Sequence, residues 1–186
     1  MAQPIRTDIT FEEYLACTHI SQQWANSYDT KDWSLLSSII TPSLHINYTS
    51  VMGPSHLFPS MSSSSYVTMM SSPSTLGHPL VATQHFLSTP SFTRTSEDEI
   101  TGTYQLRAHH VRFSSDDQGD IDGYAKGRGR KVLAVATGYA VIQHFYRRTG
   151  EGWKLSGLRP EVLFDDGDLK GLFAWKEEVG DGALTP

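Results

Sequence analysis

Between Thr10 and Tyr28 (TFEEYLACTHISQQWANSY) the apolar residues Phe11, Tyr14, Leu15, Ile20, Trp24 and Tyr28 recur at roughly helical spacing. That pattern predicts an amphipathic helix with one buried stripe. Thr10 and Glu13 have the spacing of a capping box, in which hydroxyl and carboxylate each satisfy the other's backbone N–H. A shorter helix is expected after Thr30, with Trp33, Leu36 and Ile40 inward, ending before Pro42 because proline cannot continue the ladder. From Leu44 to Val51 the period drops to two, which predicts a half-buried strand with Leu44, Ile46 and Tyr48 on one face. The SSSSYVTMM run resembles a linker, yet Tyr66, Val67 and Met70 fall at helical spacing and predict a third short helix.

From residue 80 onward the pattern is that of strands: TQHFLSTPSFTRT, EITGTYQLRAHHVRF, KVLAVATGYAVIQHFYRR and GWKLSGLRPEVLF. A loop rich in Asp and Gly separates the second from the third and carries KGRGRK (126–131), a cluster too short and too close to aspartates to read as a nucleic-acid patch. Helices first and long antiparallel strands after predict an α+β domain, with the helices packed in a curved, mostly antiparallel sheet. A sheet curled around its helices encloses a cone-shaped cavity suited to a small ligand.

Bulk properties narrow the partners. The chain of 186 residues fits a single domain spanning residues 1–186. Its net charge of -5 gives no general attraction to nucleic acid or anionic lipid. No apolar run approaches the roughly 20 residues that a membrane span needs. The opening MAQPIRTDITF lacks an apolar signal region and Cys17 is the lone cysteine, so a reducing, cytoplasmic location is expected.

Candidate chemistry lies where polar residues fall on inward positions. In QLRAHHV (105–111) alternation sends His110 to the face of Leu106 and Ala108, and His109 to the opposite, outward face. Tyr48 shares a face with Leu44 and Ile46, and Asp29 ends the first helix, where a carboxylate has no capping reason to be. The parity of His85 is ambiguous, since Thr83/His85/Leu87 and Ala82/Gln84/Phe86 are nearly equally apolar. Each of these residues alone has an ordinary structural explanation. A metal site built from His85, His110 and His144 lacks a supporting carboxylate or cysteine spacing, so no metal is expected.

The stretches WANSYDTKDW (24–33), INYTS (46–50), TQHF (83–86), SEDEITGTYQLRAHH (96–110) and HFYRRTGEGWKLSGLRP (144–160) resemble scytalone dehydratase, a fungal melanin-pathway family. The resemblance runs from about residue 9 to about 175, interrupted by a longer loop near 114–130. It implies a cone-shaped α+β barrel of the nuclear-transport-factor-2 type, a homotrimer, no cofactor and a small aromatic polyketide substrate. Carried over by position, the family's water-holding tyrosines match Tyr28 and Tyr48, its carboxylate Asp29 and its catalytic histidines His85 and His110. The reading pairs His110 with Asp29 and sets His109 at a subunit contact. Loss of water from a β-hydroxy ketone needs a base for the α proton and an acid for the departing hydroxyl, and histidine serves as both near neutral pH.

The resemblance also implies a pocket serine and asparagine, and counting back from His144 puts Ala140 and Ile142 at those positions. The serine would have supported the histidine matching His110, so this wall becomes apolar and scytalone itself becomes a doubtful substrate. A one-residue slip would instead bring Tyr139 or Val141 inward. In the C-terminal lid, FDDGDLKGLFAW keeps Phe173, and Leu169 stands where a second phenylalanine is expected. The reading is therefore a cofactor-free dehydratase on another aromatic polyketide intermediate. The alternatives are a cyclase, isomerase or pericyclase on the same scaffold, and a non-catalytic binding module.

Overall fold

A computed structural model describes residues 8–115 and 130–174. The Asp- and Gly-rich loop with KGRGRK, apart from its ends, and the residues after Ala174 lie outside the described residues. Helix α1 spans Phe11–Thr30 and starts with the expected capping box: Thr10 Oγ1 accepts from Glu13 N–H at 3.2 Å, and Glu13 Oε2 accepts from Thr10 N–H at 3.0 Å. Its buried stripe differs from the expected one. Glu13, Cys17, Ile20, Ser21, Trp24 and Tyr28 face inward, whereas Phe11 and Leu15 are exposed. Glu13 takes a core position because Arg94 and Arg148 clasp its two oxygens, which offsets the cost of burying a charge.

Helix α2 (Trp33–Ile39) ends one residue earlier than its apolar stripe suggests, and Ile40 already begins strand β1 (Ile40–Asn47). Pro42 therefore sits inside a strand, at the register irregularity between the Ile40↔Leu155 and His45↔Gly157 pairs, where no ladder N–H is required of it. Tyr48 leaves the strand and leads into helix α3 (Thr49–Met52), so the expected strand over 44–51 stops at Asn47. Strand β2 (Leu57–Ser62) precedes helix α4 (Ser63–Ser71), the helix read from the serine-rich run, with Tyr66 and Met70 buried.

The remaining strands are β3 (Val81–Leu87), β4 (Ser91–Ser96), β5 (Glu99–Phe113), β6 (Val132–Thr149) and β7 (Gly152–Gly167), followed by the short helix α5 (Leu169–Leu172). The first β segment divides in two at Pro90, which has no N–H to donate to a ladder. The sheet order is β2-β1-β7-β6-β5-β3, with β4 also paired to β5. Every described pairing is antiparallel except β1 with β7. At that parallel crossing Gly157 is required, because a Cβ there would stand 2.2 Å from the His45 carbonyl oxygen. The buried residues of α1, α2 and α4 pack against the inner face of the curved sheet in one core. Among the described residues, no helix is long and apolar enough to cross a membrane.

Candidate active site

The last turn of α1 delivers Asp29 to β3. Its carboxylate accepts the His85 backbone N–H at 3.0 and 2.9 Å, and the His85 ring Nδ1–H at 2.8 Å. A carboxylate only accepts, so Nδ1 carries a proton, and in the neutral form of the ring Nε2 is the lone-pair atom. The parity left open in the sequence is settled by the exposed Phe86 and by His85, whose side chain is 6% exposed. The expected pairing of Asp29 with His110 is therefore corrected to Asp29 with His85. The sheet order explains why: β3 is the edge strand beside the end of α1, and β5 lies one strand further in.

His110 faces inward from β5 as alternation requires, with Thr83 opposite on β3 and Ala136 opposite on β6. Its ring centre lies 5.8 Å from that of His85 and 6.5 Å from that of Phe173. Burial, with smaller contributions from His85, His109 and Lys31, pushes its pKa down to about 3, so the imidazole is neutral over the physiological range. Its Nδ1 is buried without a hydrogen-bond partner. His109 points outward and its Nδ1 lies 2.8 Å from Thr137 Oγ1.

Tyr28 and Tyr48 meet at 3.3 Å between hydroxyls, and a third residue, Tyr66 of α4, completes the ring by bonding Tyr28 and, at 3.1 Å, Tyr48. Burial is the largest cause raising all three phenol pKa values, so the three remain protonated donors. Sequence reasoning missed Tyr66. The signal available was its place on the buried stripe, with Met70, of a helix that opens on three serines. Trp24 stands between this cluster and a second one, its ring centre 4.8 Å from Tyr28, 5.2 Å from His85 and 4.8 Å from His144. In the second cluster Ser21 Oγ bonds His144 Nδ1 at 2.6 Å and the Tyr146 hydroxyl at 2.5 Å, and Tyr146 bonds Tyr104 at 2.8 Å. The inward period of His144 and Tyr146 within HFYRR was the legible sign of it.

Ala140 and Ile142 are buried on the inner face, opposite Leu106 and Tyr104, while Tyr139 stacks on Phe164 with centroids 4.4 Å apart. The register therefore turns Ala140 and Ile142 inward, rather than Tyr139 or Val141. The proposed loss of support for His110 at position 140 is corrected, however. His110 faces Ala136, four residues from Ala140, or roughly 13 Å along a strand, beyond the reach of a serine hydroxyl. In the C-terminal segment Phe173 reaches His110, but Leu169 is exposed and is not brought to the site. Leu172 is the residue that turns in, buried on Ala134 and Ala136, because only one side of the single turn of α5 meets the sheet. Two clefts, of about 260 and 460 Å³, lie elsewhere and include none of Tyr28, Asp29, Tyr48, Tyr66, His85 or His110. Among the described residues, no group of three or more His, Cys, Asp or Glu side chains is placed to hold a metal ion.

Comparison with known proteins agrees with this architecture. A protein of the NTF2-like family from Streptomyces avermitilis superimposes with a TM-score of 0.59 at 16% identity, covering 83% of this chain and 99% of its own. A scytalone dehydratase-like protein of Claviceps purpurea is 35% identical over 165 residues, 89% of this chain and 96% of its own. The dehydratase AgnL8 of Paecilomyces divaricatus is 36% identical over 175 residues, 94% of this chain and 93% of its own. A sequence profile of scytalone dehydratase matches residues 8–179. The chain belongs to the scytalone dehydratase family.

Proposed function

We propose that this chain is a cofactor-independent dehydratase that removes water from a β-hydroxy ketone fused to an aromatic ring, a polyketide intermediate of fungal secondary metabolism other than scytalone. The observation that carries the reading is the Asp29–His85 pair, with the His85 Nε2 lone pair left free beside a neutral His110 and a ring of protonated tyrosines. His85 Nε2 takes the proton α to the ketone, and Asp29 stabilises the imidazolium that forms. The electron pair moves onto the ketone oxygen, where tyrosine hydroxyls, directly or through a water, meet the developing enolate charge. As the enolate collapses, the C–O bond breaks and His85 returns its proton to the departing hydroxyl, releasing water. Ala140 and Ile142 offer the substrate an apolar wall, and a polar group facing them would go unpaired at a cost of about 1–3 kcal/mol.

Mass spectrometry of purified protein with β-hydroxytetralone, which gives naphthol on dehydration, and with metabolites accumulating in a gene-deletion strain tests this. A product one water lighter is expected, with kcat/KM lowered roughly 10²–10⁴-fold in His85→Ala and His110→Ala. Unchanged turnover in both variants would sink the reading. The apolar Ala140/Ile142 wall favours one competing reading, a cyclase, isomerase or pericyclase, and a product of unchanged mass would select it.

A further inference from the structure

Buried polar atoms without partners are rare in folded proteins, and each calls for an explanation. Two of them face one another here. Thr83 of β3 is the register partner of His110 of β5. Thr83 is 9% exposed, and neither its Oγ1 nor His110 Nδ1 has a hydrogen-bond partner. Paired side chains across an antiparallel ladder start from Cβ atoms about 4.5–5.5 Å apart, so these two share one small space without bonding each other. His85, two residues along β3 on the same inward row, has its ring centre 5.8 Å from that of His110. A valine would fill the Thr83 position with the same β-branched shape and leave no hydroxyl unpaired.

A hydroxyl beside an imidazole nitrogen can hold one oxygen atom between them, the first by donating and the second by accepting. We propose that Thr83 is a substrate-positioning residue which, together with His110 Nδ1, holds the hydroxyl group that departs as water. This deepens the dehydratase reading and rests on it. In that pose the substrate hydroxyl donates its hydrogen to His110 Nδ1 and accepts from Thr83 Oγ1–H. One lone pair remains to take the proton from His85 Nε2 as the C–O bond breaks. Thr83 neither gains nor loses a proton and fixes the direction of the leaving group.

The test compares Thr83→Val, which deletes the hydroxyl and keeps the shape, with Thr83→Ser, which keeps the hydroxyl. Thr83→Val is expected to raise Tm by about 2–4 °C, because an unpartnered buried hydroxyl is replaced by a methyl. The same variant should lower kcat/KM for β-hydroxytetralone roughly ten- to hundredfold, and Thr83→Ser should restore most of it. A purely structural threonine would not combine higher stability with lower turnover. A lowered Tm in Thr83→Val shows that the hydroxyl has a partner in the resting protein and overturns the proposal without any substrate. Unchanged kcat/KM in Thr83→Val, alongside the loss in His85→Ala, overturns it and leaves the dehydratase reading standing. Unchanged turnover in both His85→Ala and His110→Ala removes the dehydratase reading, and this inference with it.

Discussion

His110 and His144 are both folded in as neutral imidazoles, and in both the largest cause is burial, which pushes each pKa from 6.5 down to about 3. The sign of the linkage follows. Above pH 6.5 folded and unfolded chains both carry these rings neutral, so neither ring costs stability. Between 6.5 and about 3 the unfolded chain binds two protons that the folded chain refuses, and stability falls with pH by about 1.4 kcal/mol per unit for each histidine. Glu13, held below its usual 4.5 by Arg94, Thr10 and Arg148 against the opposing effect of burial, adds to the loss only at lower pH. Urea unfolding should therefore show a slope that these two rings raise from about one proton at pH 6.5 towards two near pH 5, with their share halved in His144→Gln and a further contribution from His78, whose pKa burial also lowers. A flat profile over that window would contradict the assignment. At this scale the inward polar residues were legible from parity alone for His110, and ambiguous for His85, because both faces of TQHF are almost equally apolar.

Among the elements, the segment after β7 shows why a local pattern under-determines a site. Gly167 turns the chain at φ +94, where a Cβ would also stand 2.3 Å from the Val135 carbonyl oxygen, so a glycine is required. Asp168 caps α5 through Gly171 N–H at 2.8 Å, and Arg112 Nη1 donates to the Gly171 carbonyl at 2.9 Å. A single helical turn sends Leu169 out and Leu172 in, a choice that no periodicity over four residues can make. Leu172→Ala is expected to detach this segment, removing its buried contact with Ala134 and Ala136. Hydrogen exchange should then quicken at the Asp168 and Leu172 amides while β5 and β6 keep their protection. Uniform loss across β6 would make Leu172 an ordinary core residue instead.

At the level of the whole molecule, the outer face of the sheet carries exposed Leu133, Val135 and Phe164, with Tyr139 stacked on Phe164. The resemblance implies three copies, and we propose that these exposed apolar side chains contribute to a homotrimer. Sedimentation equilibrium should give three times the chain mass of 20.7 kDa, and a monomer mass at micromolar concentration would overturn the proposal.

What the sequence determined by itself is whatever depends on neighbours along the chain. The capping box at Thr10, the helix hidden in the serine run and the opposite facing of His109 and His110 all follow from short-range sterics and period. The family resemblance added the residue types. Tertiary structure alone decided what depends on which strands lie side by side. Strand order gave Asp29 to His85 rather than to His110, and register set His110 against Thr83 and Ala136 rather than beside Ala140. Packing brought Tyr66 from a distant helix to Tyr28 and Tyr48. Hydrogen bonds and buried contacts of that kind join residues tens of positions apart, and local periodicity carries no information about which of them will meet.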